Sequence, residues 1–135
     1  MPRNVFYPAD YKFGTDQEDI VLPKLKEFFG RDIKKSEDKF AKSDYYDDEY
    51  YYEMKSRTNA YSKYPTTMIT EDKIREDKKL ILLFNFTDGI YYIEYNKEKF
   101  DNYERKMFSR AGYSWNEKSH LFIDIKDLQP IFKIL

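Results

Sequence analysis

Ser43-Asp44-Tyr45-Tyr46-Asp47-Asp48-Glu49-Tyr50-Tyr51-Tyr52-Glu53-Met54-Lys55-Ser56-Arg57 reads as two β-strands folded back on each other. Tyrosine favours pleated, half-buried surfaces, and the acidic run Asp47-Asp48-Glu49 interrupts the aromatic pattern where a turn belongs. The expected strands run from Lys39 to Tyr46 and from Tyr50 to Arg57. Side chains alternate between strand faces, so Tyr50, Tyr52 and Met54 share one face while Tyr51, Glu53, Lys55 and Arg57 share the other. The first set suits a core; the second leaves a carboxylate and an ammonium together. Asp44 lies on the preceding strand, and a register that sets it across from Glu53 brings a second carboxylate to the same place.

Upstream, Thr15 to Phe29 spaces Ile20, Val21, Leu25, Phe28 and Phe29 along one face of a helix, with Thr15 or Asp16 as N-cap and Gly30 as stop. Pro23 would cost about 3 kcal/mol in a helix interior, so a kink or a late start is expected. A short strand is expected near Ile33. Downstream, Thr70 to Lys79 suits a short exposed helix or loop. Leu80 to Phe86 and Ile90 to Tyr95 form a second hairpin about Asp88-Gly89. Lys97 to Arg110 spaces Phe100, Tyr103, Met107 and Phe108 for a helix, His120 to Ile125 reads as a strand, and Asp127 to Phe132 as a short C-terminal turn.

With 135 residues the chain suits one domain. Hydrophobic residues at 41% and charged residues at 36% exclude a disordered or membrane-spanning composition. Residues Met1 to Asp10 carry no basic segment leading into an apolar run, so an intracellular protein is expected. With no cysteine and one histidine, thiolate and histidine-based zinc sites are excluded, and any metal must be held by oxygen. The balance of 24 Lys and Arg against 25 Asp and Glu excludes a strongly basic DNA-coating protein.

Two carboxylates aimed at one point make a hard oxygen site suited to Mg2+ or Mn2+, which keeps several waters and accepts a phosphate oxygen. Such an ion activates water near neutral pH and neutralises charge building on phosphorus. Lys55 adds a point charge that orients the attacking water or stabilises that charge. The bland alternative for Asp44, Glu53 and Lys55 is a surface salt bridge worth about 0.2–1 kcal/mol.

Asp44 followed by Glu53-Met54-Lys55, after a helix bearing Glu18, resembles the PD-(D/E)XK, or restriction-endonuclease-like, superfamily, whose signature is an acid on one strand and acid-x-Lys on the next. No proline precedes Asp44; Ser43 stands there. The resemblance implies an α/β (α+β) domain over residues 1–135, a mixed β-sheet flanked by helices in the order αβββαβ. It implies a Mg-dependent nuclease acting on DNA, with Asp44 and Glu53 as metal ligands, Lys55 assisting the attacking water and Glu18 completing the metal shell. Glu27 is a weaker candidate than Glu18. The string from Glu53 to Arg57, with Tyr64-Pro65-Thr66-Thr67-Met68, is similar to small nuclease-like proteins carried by large DNA viruses, which implies a host cytoplasm or nucleus, or a virion.

Arg57, Lys63, Thr66, Thr67 and Lys73 follow the motif and are candidates for phosphate contacts, with solvated loop residues as an equal alternative. His120 suits a structural place better than a general base, and Trp115 a packing anchor or a stacking residue. A homodimer is expected, because one small domain has little room to enclose a duplex. The rival expectation is a catalytically inactive nuclease fold kept as a nucleic-acid-binding or virion structural module; a third is a protein-interaction domain using its aromatic surface.

Overall fold

An apolar run such as Leu80–Phe86 must be covered on both faces. In the computed structural model, which describes residues 8–38, 41–109 and 117–133, it lies inside a six-stranded mixed sheet with a helix on one face and a second sheet on the other. The elements in chain order are α1 (Pro8–Phe29), β1 (Lys34–Lys35), β2 (Tyr45–Tyr46), β3 (Tyr50–Ser56), β4 (Thr66–Thr70), β5 (Lys79–Phe86), β6 (Gly89–Glu94), α2 (Lys97–Phe100), β7 (Glu104–Ser109), β8 (Glu117–Asp124) and β9 (Gln129–Lys133). Single 3-10 turns follow β4 at Glu71–Lys73 and β8 at Ile125–Asp127. The large sheet runs β1-β2-β3-β5-β6-β9 and the small one β4-β8-β7. The class is mixed α+β.

Residues of β3 and β5 divide between two cores. Tyr52, Met54, Ile81 and Leu83 point toward α1, where Val21 and Leu25 meet them together with Ile33, Tyr45 and Ile90. Leu80, Leu82, Phe84 and Phe86 point the other way, against Ile69, Leu121 and Ile123 of the small sheet. Truncating one of these side chains to alanine should remove about 2–5 kcal/mol.

The first hairpin forms as expected, with Tyr45 opposite Tyr52 and Tyr46 opposite Tyr51. Gly30 ends α1 at φ +63°, its N–H reaching the Lys26 carbonyl at 3.0 Å. That left-handed conformation is open to glycine at no steric cost. The second hairpin also forms, but its two-residue loop is Thr87-Asp88, and Gly89 opens β6 opposite Phe86. Gly89 is needed for a different reason: a Cβ there would lie 2.5 Å from the Phe132 carbonyl oxygen of the adjoining β9.

Other expectations are corrected. The helix covers Pro8–Phe29, extending well before Thr15 and Asp16, and runs through Pro23. Its buried stripe is narrower than the spacing implied, since Ile20 and Phe28 are exposed. The strand expected from Lys39 is confined to Tyr45–Tyr46, with Lys39 and Phe40 outside the described residues. Lys97 to Arg110 is not one helix. Asn96 caps a four-residue α2, after which Glu104–Ser109 pairs with β8 as a strand, so long-range pairing overrides the helical spacing. The C-terminal turn is a 3-10 turn followed by β9. Where the order αβββαβ places a second helix, the chain has β4 and the turn Glu71–Lys73.

Candidate functional site

β3 is an interior strand, antiparallel to β2 and parallel to β5, with Glu53 beside Leu82 and Lys55 beside Phe84. A parallel partner needs a long crossover, and residues 57–78 supply it by way of β4. The face carrying Glu53 is the one that a metal and a phosphate would have to reach. It is covered by the small sheet, and Glu53 is only 6% exposed.

The β2–β3 register, continued by one pair, sets Asp44 opposite Glu53. The ladder does not continue there through backbone alone: Asp44 Oδ2 accepts from the Met54 N–H at 2.8 Å, taking the place of a strand carbonyl. At the same point the Tyr45 hydroxyl donates to the Glu18 carbonyl at 2.6 Å, tying α1 to the end of β2. This anchor sets the Glu18 carboxyl beside that of Asp44, close enough for a hydrogen bond between them. Lys55 Nζ lies 3.9 Å from Glu53 Oε1, and Lys73 Nζ, brought by the 3-10 turn after β4, lies 3.4 Å from the same oxygen. Glu18, Asp44, Glu53 and Lys55 therefore share one neighbourhood.

The electrostatics are those of an over-filled anionic site. Burial first, then the Asp44 carboxylate, pushes the Glu18 carboxyl up to about 7, with Glu53 adding to the shift and Lys35 opposing it. Glu53 is also pushed up, by burial and by Asp44, against the pull of Lys73 and Lys55. Burial pushes the Lys55 ammonium down, Glu53 restores part of the shift, and Lys73 works against it. Groups at these positions are held away from their ordinary ionisation by burial and then by one another's charge, as functional clusters often are.

Among the described residues, no three or more His, Asp or Glu side chains form a group that could grip a metal ion on their own. Mg2+ does not require one, because it is commonly held by one or two carboxylates together with waters and substrate phosphates. Asp44 and Glu53, paired across β2 and β3, offer that donor set, with Lys55 and Lys73 beside Glu53.

The other candidates separate. Arg57 Nε donates to Thr67 Oγ1 at 3.2 Å and its Nη2 donates to the Met68 carbonyl, so Arg57, Thr66 and Thr67 line one cleft. Lys63 is exposed, its Nζ 5.6 Å from the centre of the Tyr64 ring. Lys73 belongs with Glu53. Glu27 is exposed on α1. His120 Nδ1 lies 2.9 Å from the Lys118 carbonyl, with its ring against Phe108. Trp115 lies outside the described residues.

Sequence reasoning missed the second lysine on Glu53 and the knot at Asp47, whose carboxylate accepts from Arg31, Tyr52 and two backbone N–H groups. The aspartate three residues before Tyr50, in an acidic turn, was a usable signal for the knot. Nothing local marks Lys73. No protein-family model, no curated protein and no solved structure matches the chain. No helix among the described residues is long and apolar enough to cross a membrane.

Proposed function

We propose that the chain is a Mg-dependent nuclease of the PD-(D/E)XK kind, hydrolysing phosphodiester bonds of DNA. The observation that carries the reading is the convergence of Asp44 and Glu53 on neighbouring strands, with Glu18 and Lys55 drawn in and both glutamates pushed up by burial first and then by the Asp44 carboxylate. Mutual repulsion of that kind is relieved by a divalent cation, which a stabilising salt bridge would not need. Asp44 and Glu53 would hold the ion. When bound, Mg2+ supplies Lewis acidity toward water and a phosphate oxygen. Lys55 donates to the attacking water and keeps it in line with phosphorus. Glu18, beside Asp44, would complete the ion's shell. Burial against the small sheet strengthens each of these interactions by lowering the local dielectric.

The test is incubation of the purified protein with single-stranded, duplex and branched DNA and Mg2+ or Mn2+. Cleavage should fall by about a hundredfold or more in Lys55→Ala. No cleavage of any substrate, or cutting indifferent to Lys55→Ala, removes the proposal.

One observation favours the inactive alternative. Two ammonium groups already face Glu53, and a carboxylate so matched can serve as a buried ion cluster in a nucleic-acid-binding module. That reading expects salt-sensitive DNA binding without hydrolysis and no Mn2+ heat in calorimetry. The catalytic reading expects Mn2+ binding that Asp44→Ala abolishes.

A further inference from the structure

Two residues beyond Lys55, on the same face of the strand, Arg57 borders a cleft of about 380 Å³ whose walls include Tyr61, Tyr64, Thr67, Met68 and Phe122. Among the described residues no Asp or Glu lines this cleft, and Arg57 is the one ionised side chain in its walls. The bonds to Thr67 and the Met68 carbonyl fix the guanidinium plane. A guanidinium has five donors, more than these two bonds use. Tyr61 is held in place, its ring stacked 4.0 Å from that of Tyr91 and its hydroxyl donating to the Ile125 carbonyl at 2.7 Å. Tyr64, by contrast, is 52% exposed. Lys63 and Lys106 lie at the aromatic walls, each Nζ 5.6 Å from a ring centre, over Tyr64 and Phe122 respectively. Lys106 is paired with Glu104 at 3.6 Å, so Arg57 and Lys63 are the cations left to the cleft. Aromatic walls and a held guanidinium match a flat π-faced group joined to an anion.

We propose that this cleft takes an unpaired nucleobase, with Tyr64 stacked on it and Arg57 on the adjoining phosphate, so that the substrate class of the neighbouring site is single-stranded nucleic acid or a frayed end. The inference deepens the nuclease reading and rests on it for its catalytic meaning. Two residues along a strand advance about 6.6 Å. A base seated in the cleft therefore determines which phosphate reaches Lys55. Bases in a duplex are unavailable until unstacked, which disfavours intact duplex.

The experiment is fluorescence anisotropy of the full chain in EDTA, with a labelled mixed-sequence single strand and the duplex of the same sequence. The single strand should bind more tightly, Tyr64→Ala should weaken it by about five- to a hundredfold, and Tyr64→Phe should restore it. Duplex binding should be indifferent to both changes. No single-strand binding, equal binding of the two forms, or parental affinity in Tyr64→Ala overturns the proposal. Cleavage in Mg2+ is read separately: Lys55-dependent cutting with Tyr64-independent binding overturns the cleft and leaves the nuclease reading. Tyr64-dependent binding without cutting supports the cleft and overturns the nuclease reading.

Discussion

Asp47 and Glu53 stand in one hairpin, each 6% exposed, yet their surroundings drive them in opposite directions. For Asp47 burial disfavours the charge but is outweighed by the donors around it, and the carboxyl is held down to about 2. Arg31 Nε lies 2.6 Å from Oδ2, the Tyr52 hydroxyl donates to the same oxygen at 2.6 Å, and the N–H groups of Glu49 and Tyr50 reach Oδ1 at 2.8 Å. Glu53 is pushed up by burial first and then by the Asp44 carboxylate, because its two ammonium groups, no nearer than 3.4 Å, do not outweigh them. Burial alone therefore says nothing about role. A buried acid whose lone pairs are filled organises a turn, whereas one with looser partners and a second carboxylate beside it stays costly to ionise.

The largest expected effect breaks the structural half of this comparison. Asp47→Ala leaves a buried tyrosine hydroxyl and two backbone N–H groups without their acceptor, while Arg31 keeps Asp48 and Glu49, and should lower stability by about 2–3 kcal/mol in a urea unfolding series. Glu53→Gln keeps an acceptor for Lys55 and Lys73 and removes repulsion from Asp44, so its stability should stay within about 1 kcal/mol of the parent. The same substitution should abolish Mg-dependent cleavage. A large stability loss in Glu53→Gln would place both acids in the same structural class.

This contrast was only partly legible in the chain. The pairing of Asp44 with Glu53 could be read because strand alternation has period two and the acidic turn sets the register within one hairpin. Gly30 could be read because a helix end has a local glycine signature. The parallel neighbour β5, the small sheet over Glu53 and the approach of Lys73 could not, since each depends on contacts between segments far apart in sequence. Lys97–Arg110 shows the converse failure. Its helical spacing is real, but Phe100 and Tyr103 pack beside the core while Met107 and Phe108 ride an exposed edge strand.

A pH series sharpens the comparison, because the two acids have opposite linkage. Asp47 has a folded pKa below its ordinary value of 3.8, so its contribution is present above about pH 4 and is lost as pH falls through about 2. Glu18 has a folded pKa raised from 4.5 to about 7, so the folded state holds the extra proton between those values. Its contribution is present below about pH 4.5 and is lost as pH rises through 7. Melting temperature should therefore carry a downward component across that window. Saturating Mg2+ should flatten it, and Glu18→Gln should flatten it without metal.

The smallest effect distinguishes a metal site from an ion cluster by sign. Lys35 is one of the charges that lower the Glu18 pKa, and its Nζ also pairs with the exposed Asp19 at 2.8 Å. If the carboxylates exist to satisfy lysines, Lys35→Ala should only cost stability, by about 0.2–1 kcal/mol for so exposed a partner. If they exist to hold a divalent ion, removing a competing positive charge should also tighten Mn2+ binding, by about twofold to fivefold for a charge at this remove. Calorimetric titration of Mn2+ into parent and Lys35→Ala reads that difference directly. Unchanged or weaker Mn2+ binding in the variant would favour the ion-cluster account, because no cation site binds its ion less well when a neighbouring cation is taken away.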